Sequence, residues 1–374
     1  MKTSTYLLGG APPKVAARIV ALALLVTATA WSTQGELKAV NLDDPNLHFS
    51  GMVHVDARSD SVRFSRFDPQ MLELSKAQLG FNPDKARNTT GGVITFQTDS
   101  PGVHLKFRPA AGMNRGSEFG VFIDGQFIDS FKFNPKQQEM VFRVDKPQTG
   151  KSALWEITLP SFANPELLAL EIDRQSKLEV VTQAGKKVYV ALGDSISHGT
   201  GQGSATHLTW PFILSRKLDY TLYNLAVGGS GVAVAQGQTL AEIGPIDLVT
   251  ILIGFNDWSG EGDSAAAFKQ QYDQLLKTIR ASHPEAPVFC ISPLFTKREL
   301  SKRSGIPIDG FRIAVQQLVE EWSAKDPNIH FIAGDSISSD ANLRTDRPND
   351  PVHLGIDGAA LFADSIYPLI IKDM

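Results

Sequence analysis

The sequence predicts two domains of different class: an all-β sandwich of jelly-roll type over residues 48–182, and an α/β domain with a parallel sheet over residues 186–374. Short runs of alternating apolar and polar residues fill the first region, which is typical of half-buried strands. Continuous apolar runs separated by helical patterns fill the second region. The change falls at Thr182-Gln183-Ala184-Gly185. At roughly 150 residues per domain, a chain of 374 residues agrees with two domains.

Alternating runs and turn residues predict the strands of the first domain. Apolar and basic residues alternate in Val103–Arg108, so its apolar side chains share one face of a strand. Asp124-Gly125 separates two such runs and is typical of a two-residue hairpin turn. Weak helical periodicity occurs around Gln70–Leu79. Further strands are predicted at Gly92–Gln97, Met140–Val144, Ala153–Leu159 and Leu167–Ile172.

In the second domain, Val188–Leu192 is a continuous apolar run, as expected for a strand buried on both faces. Asp263 or Ser264 is expected to cap the helix that follows the second such run. Alternation of strands and helices implies a parallel sheet with right-handed crossovers, whose ligand sites lie beyond the carboxyl ends of the strands. The other strands are predicted at Leu248–Ile253, Val288–Ile291 and Ile329–Ile332, and the helices at Ser264–Ser282, Asp309–Ala324 and Ile356–Ile371.

Composition excludes several functions. The chain has 36 Lys and Arg against 40 Asp and Glu, a net charge of −4, which removes the electrostatic case for nucleic-acid binding. Cys290 is the single cysteine, so neither an intrachain disulfide nor a cysteine-based zinc site can form.

The first thirty residues are predicted to be a signal peptide. Lys14 and Arg18 precede the apolar run Ile19–Ala30, which is too short to span a bilayer as a helix. The run ends in Ala28-Thr29-Ala30, the A-x-A pattern of a cleavage site. We therefore expect a secreted or periplasmic protein in which residues 31–47 are a linker. A buried helix or an uncleaved membrane anchor is the alternative.

Two short motifs follow predicted strands. Gly193-Asp194-Ser195-Ile196-Ser197 comes directly after the first buried strand, and a serine on a tight strand-to-helix turn can present its hydroxyl to a cleft. Taken alone, the pentad is a common loop sequence with a capping serine. In Asn224-Leu225-Ala226-Val227-Gly228-Gly229, a glycine allows a backbone N–H to approach a ligand closely, although a simple turn explains the glycine pair equally well.

Two further motifs complete the set. Gly254-Phe255-Asn256-Asp257 follows the second buried strand, where the Asn amide can either donate a hydrogen bond into a cleft or cap a helix. Asp350-Pro351-Val352-His353 places a carboxylate three residues from an imidazole, close enough to fix its tautomer. Each motif alone is weak evidence, but their joint occurrence in this order indicates one shared catalytic cleft.

In these four motifs the chain resembles the SGNH or GDSL-type serine hydrolases, and the resemblance spans roughly residues 186–374. Ile196 stands where many members have Leu, and the Asn-x-x-x-x-Gly spacing points to Gly229 rather than Gly228. The GxND and DxxH blocks are complete. The resemblance implies a flavodoxin-like, three-layer α/β/α catalytic domain.

The resemblance also implies the roles of the site residues, and each role is chemically reasonable. Ser195 would be the nucleophile, His353 the base, and Asp350 the carboxylate that orients His353. The oxyanion hole would consist of the Ser195 N–H, the Gly229 N–H and the Asn256 amide. Loss of one such donor typically costs about 3 kcal/mol of transition-state stabilisation.

Several similar features are expected to be structural. Gly334–Ser338 repeats the pentad GDSIS, but Ser336 lacks the downstream glycine and asparagine blocks that follow Ser195. Gly199–Ser204 has Ser204 where a dinucleotide loop needs its last glycine. His198 and His207 could line the cleft, but lone histidines are more often surface or structural residues. Metal-binding helix patterns are absent from the sequence, so neither a metal nor another cofactor is expected.

Asp194 is expected to brace the nucleophile loop rather than to react. An exported serine esterase with a preceding jelly-roll module resembles bacterial carbohydrate esterases, and Gly92–Ser100 resembles a strand of such modules. Some of those enzymes use a Ser–His dyad, but Asp350 favours a full triad here. Aromatic candidates for stacking on a sugar are Trp210, Phe255 and Trp258, and core packing is the alternative for Phe255 and Trp210.

The favoured function is therefore hydrolysis of short-chain acyl esters, above all O-acetyl groups, on carbohydrate. A lipid or general short-chain acyl esterase of lysophospholipase type is the first alternative. The second is an acyltransferase or glycan-binding protein, although the intact site residues argue against binding alone. The expected partner is an acylated carbohydrate or another small ester, with no nucleic acid and no membrane span once the signal segment is removed.

Overall fold

The structure, a computed structural model, describes residues 36–147, 151–181, 185–261 and 264–374. The signal segment predicted over residues 1–30, the start of the predicted linker and the candidate capping residue Asp263 lie outside these ranges. Ser264 does cap the helix that follows it, because its side chain accepts a hydrogen bond from the Ala267 N–H.

The first half of the described chain forms two antiparallel sheets that pack around an apolar core. Their strands are β1 Leu37–Ala39, β2 His48–Ser50, β3 His54–Arg58, β4 Ser61–Ser65, β5 Val93–Thr98, β6 Gly102–Pro109, β7 Ser117–Ile123, β8 Gln126–Phe133, β9 Met140–Asp145, β10 Ala153–Thr158, β11 Pro165–Asp173 and β12 Leu178–Glu179. One sheet has the order β3-β4-β11-β6-β9 with β1 beside β11, and the other has the order β12-β5-β10-β7-β8 with β2 beside β5.

The sequence pattern accounts for these strands. In β6, Val103, Leu105 and Phe107 are buried while the residues between them are more exposed, as the alternation predicts. The β7–β8 hairpin turns at Asp124 and Gly125, whose φ angles of 49° and 78° are the left-handed values that a tight hairpin requires. The strand β1 lies within the segment that the sequence predicts to be a linker. It pairs with β11 and is therefore part of the sandwich.

The second half of the chain is a five-stranded parallel sheet in the order β14-β13-β15-β16-β17, the 2-1-3-4-5 order of flavodoxin-like folds. Its strands are β13 Val188–Gly193, β14 Thr221–Asn224, β15 Leu248–Leu252, β16 Val288–Ile291 and β17 Ile329–Ile332. The α-helices of the described chain are α1 Lys76–Leu79, α2 Pro83–Ala86, α3 Ser195–His198, α4 Trp210–Leu218, α5 Val234–Gln238, α6 Ala265–Ser282, α7 Asp309–Ser323 and α8 Ile356–Asp373.

Apolar clusters cover both faces of the parallel sheet, one containing residues of α5, α6 and α7 and the other residues of α4 and α8. This is a three-layer arrangement. The predicted fold class, a β-sandwich followed by an α/β domain, is thereby confirmed. Cys290 is buried in β16, where burial raises the pKa of its thiol to about 12, so it is a packing residue.

The segment between β4 and β5 joins the core of the other domain. Phe67, Leu72, Leu79 and Phe81 are buried in the same cluster as the side chains of α5 and α6. The weak helical periodicity of residues 70–79 corresponds to a 3₁₀ turn at Met71–Glu73 followed by α1. A long connection of the sandwich is therefore built into the α/β domain, next to the loops that carry the site.

Candidate active site

Ser195 begins α3 directly after β13. Gly193 allows this sharp turn, because a Cβ atom there would lie 2.6 Å from the Leu252 carbonyl oxygen. Asp194 caps the short helix by accepting a hydrogen bond from the Ile196 N–H (2.9 Å). The cap holds the Ser195 hydroxyl at the carboxyl edge of the sheet.

The structure brings Ser195 to His353 and Asp350, which lie more than 150 positions further along the chain. The Ser195 Oγ lies 2.8 Å from His353 Nε2. The other ring nitrogen, Nδ1, lies 2.9 Å from both carboxylate oxygens of Asp350. Because a carboxylate can only accept, Nδ1 carries the proton and Nε2 is left to accept from Ser195. This is the tautomer that a general base needs.

Asp350 is held in its ionised form. Burial alone would raise its pKa, but the hydrogen bond and charge of His353, together with the N–H groups of His353 and Val352, hold the pKa well below its usual range. The guanidinium of Arg344 lies 3.7 Å away and adds a positive charge. An imidazolium formed during a reaction would thus face a carboxylate that remains charged.

Gly229 lies in the turn that borders Ser195. Its φ of +83° is in the left-handed region, which suits glycine, and a Cβ on the preceding Gly228 would lie 3.8 Å from the Ser195 Cβ. Within the described chain, neither the Ser195 N–H nor the Gly229 N–H donates to another residue. Both predicted backbone donors are therefore available to a ligand.

Asn256 is engaged elsewhere in this structure. Its Nδ2 donates to the Ser230 carbonyl (2.8 Å) and to Asp194 Oδ2 (3.3 Å). The asparagine therefore connects the loops after β13, β14 and β15. An amide hydrogen bond to an oxyanion would replace one of these contacts, and that role stays a prediction.

Asp194 is fully buried, and burial raises its pKa to about 6 despite the hydrogen bond from Ile196 and the charge of His353. Its exposed fraction is 1 %. The side chain supports the loop through Ile196 and Asn256 and does not touch the Ser195 hydroxyl. These contacts agree with the bracing role expected from the sequence.

Arg66, at the end of β4, is a functional candidate that the sequence analysis missed. Its fully buried guanidinium donates to five carbonyl oxygens, those of Lys85, Ala86, Asn88, Asn224 and Ala226. Burial lowers the pKa of Arg66 to about 9, which still leaves it protonated at neutral pH. Arg66 thus ties the sandwich to the turn that carries Gly229. An arginine directly after an alternating strand carries no local signal of such a role.

Lys85 also reaches this turn from the sandwich. Its Nζ donates to the Gly228 carbonyl (2.9 Å), and a Cβ on Gly229 would lie 3.3 Å from the same nitrogen. Burial, then Arg115 and Lys76, lower the pKa of Lys85. The ammonium group therefore lies beside the predicted oxyanion hole.

His198 is structural and links the two domains. Its Nε2 donates to the Ser161 carbonyl (2.7 Å), its Nδ1 accepts from the Gly228 N–H (3.1 Å), and its ring stacks on Phe162 with 4.7 Å between centroids. Burial and the charge of Arg66 lower its pKa, so it is neutral. His207 contacts Phe122 and Phe127 of the sandwich. Neither histidine contacts the Ser195 hydroxyl.

Two of the three aromatic candidates for sugar stacking are wrong. Trp210 and Trp258 have no exposed surface. Trp210 packs edge-on against Phe362, and Trp258 donates its indole N–H to the Ile306 carbonyl. Both tryptophans are core residues; core packing is the stated alternative for Trp210 and was not anticipated for Trp258. Phe255 is half-buried and lies 5.6 Å from the guanidinium of Arg298.

Ser336 stands apart from the site. Its hydroxyl is exposed and donates to the Ala333 carbonyl (2.7 Å). Among the described residues, no group of three or more His, Cys, Asp or Glu side chains is arranged to hold a metal ion. No helix in that part of the chain is both long and apolar enough to cross a bilayer.

At the carboxyl edge of this parallel sheet, a serine is hydrogen-bonded to a histidine, which is hydrogen-bonded to a carboxylate. This arrangement is found in serine hydrolases. Residues 191–361, most of the α/β domain, match the GDSL-like Lipase/Acylhydrolase family. This confirms the resemblance to SGNH or GDSL-type hydrolases. Among curated proteins, no sequence match is found.

Solved structures similar to this chain extend over both domains. The salicylyl-acyltransferase SsfX3 from a tetracycline biosynthetic pathway is 20% identical, with a TM-score of 0.77 over 90% of this chain and 97% of that one. A family two carbohydrate esterase from Cellvibrio japonicus is 13% identical, with a TM-score of 0.65 over 91% and 98%. Another, from Clostridium thermocellum in complex with cellohexaose, is 16% identical, with a TM-score of 0.63 over 83% and 98%. Similarity at this level concerns the fold.

Proposed function

We propose that this protein is an exported serine esterase that removes short-chain acyl groups, above all acetyl, from carbohydrate. The observation that carries the proposal is the hydrogen-bonded series Ser195 Oγ, His353 and Asp350, with contacts of 2.8 and 2.9 Å. The carbohydrate part is supported by the similarity of both domains to family two carbohydrate esterases. The export part is supported by the apolar run Ile19–Ala30 and its A-x-A ending.

The geometry supports a two-step reaction. Ser195 Oγ attacks the ester carbonyl carbon while His353 Nε2 accepts its proton. The oxyanion of the tetrahedral intermediate accepts hydrogen bonds from the Ser195 and Gly229 N–H groups and, in our proposal, from Asn256. The C–O bond of the ester then breaks, and His353 returns the proton to the leaving alcohol. Water attacks the acyl-enzyme in the same way and releases the acid.

Lys85 would strengthen the oxyanion hole in this scheme. Its ammonium group donates to the Gly228 carbonyl. This carbonyl and the Gly229 N–H belong to the same peptide unit, so the hydrogen bond polarises that unit and makes the Gly229 N–H a stronger donor. Its partial burial increases the effect of this charge.

Acyl transfer is the second candidate, and the similarity to a salicylyl-acyltransferase favours it. The first step would be unchanged, and an alcohol instead of water would resolve the acyl-enzyme. Adding alcohol acceptors to the assay separates the two: a transferase forms a new ester, whereas a hydrolase forms the free acid.

The direct test compares p-nitrophenyl acetate, butyrate and octanoate, with acetate release from acetylated xylan in parallel. We expect a steep preference for acetyl and release of acetate from the glycan. Activity that rises with chain length, without release from the glycan, would contradict the carbohydrate assignment and favour a lipid esterase.

The nucleophile is tested by a matched pair of variants. Ser195→Ala is expected to lower kcat/KM on p-nitrophenyl acetate on the order of 10⁴-fold or more. Ser336→Ala, in the identical pentad, is expected to stay within about twofold of the wild type. Thermal unfolding of both variants serves as the control for folding. Hydrolysis by Ser195→Ala at the wild-type rate would overturn the proposed function.

A further inference from the structure

A cavity of about 810 Å³ lies beside the candidate active site and is lined by both domains. The sandwich contributes Arg115, Gly116 and Phe162. The α/β domain contributes residues 200, 201, 203, 204, 341, 343–347 and 355–358. The backbone N–H of Thr200, a lining residue, donates a hydrogen bond to the backbone carbonyl of Ser195 (2.9 Å). One wall of the cavity is therefore in direct contact with the residue that carries the nucleophile. The volume is within the range of small-molecule sites.

The wall of this cavity carries more positive than negative charge. Arg115, Arg344 and Arg347 line it, against Asp346 and Asp357. Asp346 is already bonded to Arg344 through both carboxylate oxygens. The hydrogen bond and charge of Arg344, and then the charge of Arg347, lower the pKa of Asp346, so two of the three arginines act on one carboxylate. In the described part of the chain, Arg115 forms no ion pair with a carboxylate, and the wall of the cavity keeps a net positive charge.

A series of contacts connects Arg115 in the cavity with the turn that carries Gly229. The Arg115 guanidinium lies 4.3 Å from the centroid of the Phe162 ring, and the backbone N–H of Arg115 donates to the Phe162 carbonyl. Phe162 in turn stacks on His198, which accepts from the Gly228 N–H. A ligand group bound by Arg115 would thus lie next to the turn that carries Gly229.

The cations are close enough to repel one another. Burial and the charge of Arg347 lower the pKa of Arg115, and burial and the charge of Arg115 lower the pKa of Lys85. Like charges held close together destabilise a protein, and a bound anion relieves the repulsion. A planar guanidinium suits a carboxylate because it can donate two parallel hydrogen bonds.

We propose that this cavity binds a carboxylate group of the glycan, so that the preferred substrate is an acylated acidic polysaccharide with uronic acid units beside the acylated sugar. Arg115 and Arg347 are the carboxylate ligands, and the ester lies between Ser195 and Gly229. The inference rests on the proposed function and specifies its substrate class.

The test uses two forms of one substrate, O-acetylated oligogalacturonate and the same oligosaccharide with its carboxylates converted to methyl esters. Both carry the same acetyl groups, and only the first is charged. We expect wild-type kcat/KM for acetate release to be about 10-fold higher on the charged form at low ionic strength, and the ratio to fall as salt is added. Equal rates on the two forms would overturn the proposal.

The double variant Arg115→Gln/Arg347→Gln is expected to bring the ratio of the two rates close to one. Arg143→Gln, at an exposed arginine of β9, is the matched control and keeps the wild-type ratio. A ratio unchanged in the double variant would also overturn the proposal. Ser195-dependent hydrolysis of p-nitrophenyl acetate with no preference for the charged glycan contradicts this inference alone, whereas the absence of Ser195-dependent hydrolysis contradicts the proposed function.

Discussion

The pentad GDSIS occurs twice in this protein, at residues 193–197 and 334–338, and each copy follows a strand of the same parallel sheet. In the first copy the serine hydroxyl lies 2.8 Å from His353 Nε2. In the second copy the Ser336 hydroxyl donates to the carbonyl three residues earlier, as in an ordinary turn. Identical local sequence therefore leads to two different environments.

The aspartates of the two copies differ in the same way. Asp194 is buried and contacts Ile196 and Asn256. Asp335 is 45 % exposed and has Arg312 at 3.7 Å. One carboxylate is part of the interior of the site and the other is on the surface.

The position of each strand in the sheet explains the difference. β13 is flanked by β14 and β15, so loops from both neighbours, carrying Gly229 and Asn256, meet the first pentad. β17 is an edge strand with only β16 beside it, and the second pentad receives a loop from one side. In a sheet of this order the ligand site is expected where the connections diverge to either side, which is at β13.

After the loss expected for Ser195→Ala, the next largest effect is expected for the carboxylate that completes the first site. Asp350→Asn is expected to lower kcat/KM on p-nitrophenyl acetate by about 10³- to 10⁴-fold, because an amide cannot hold the Nδ1–H tautomer or stabilise an imidazolium. Asp335→Asn, beside the second serine, is the control and should leave the rate unchanged. A loss below about tenfold in Asp350→Asn would indicate a Ser–His dyad.

The sandwich also distinguishes the two pentads, because Arg66 supports the turn beside the first. Arg66→Met would leave five buried carbonyls without their donor, and we expect the free energy of unfolding to fall by about 3 to 5 kcal/mol in denaturant titrations. Arg58→Met changes an exposed arginine of the neighbouring strand β3, paired with an exposed carboxylate, and is expected to cost a small fraction of that. Equal losses in the two variants would show that Arg66 has no special structural role.

The raised pKa of Asp194 predicts that wild type and Asp194→Asn differ in how their stability depends on pH. Its pKa is about 6 in the folded protein against 3.8 as the reference, so the unfolded chain loses this proton first as the pH rises. Stability due to this group is therefore complete below about pH 4 and is lost as the pH rises through 6. Relative to wild type, Asp194→Asn should gain about 2 to 3 kcal/mol between pH 4 and pH 7.

The measurement is chemical denaturation of both proteins across this pH range. Asp335→Asn is the matched control, because its exposed side chain lies in the same pentad sequence. A difference between Asp194→Asn and wild type that does not vary with pH would contradict the account of this loop.

The fold and the four motifs were predictable because their signals are local. Strand alternation in β6, the Asp124-Gly125 turn and the buried run of β13 all follow from a few adjacent residues. The contact between the Ser195 and His353 side chains was also predictable once the order of the motifs was known.

Long-range contacts were not predictable. Nothing near Arg66 in the sequence indicates that its guanidinium reaches carbonyls 158 and 160 residues away. The burial of Trp210 and Trp258 depends on helix and loop packing rather than on their neighbours in the chain. The pairing of β1 with β11 likewise connects residues more than a hundred positions apart.

The most direct test of the central claim is covalent labelling of wild-type protein with a fluorophosphonate, followed by mass spectrometric mapping of the modified peptide. Such a reagent reacts quickly with a serine hydroxyl that an adjacent base activates and slowly with an ordinary surface serine. The account predicts one label per chain, on Ser195, and none on Ser336. Label on Ser336, or a Ser195 hydroxyl that does not react, would contradict it.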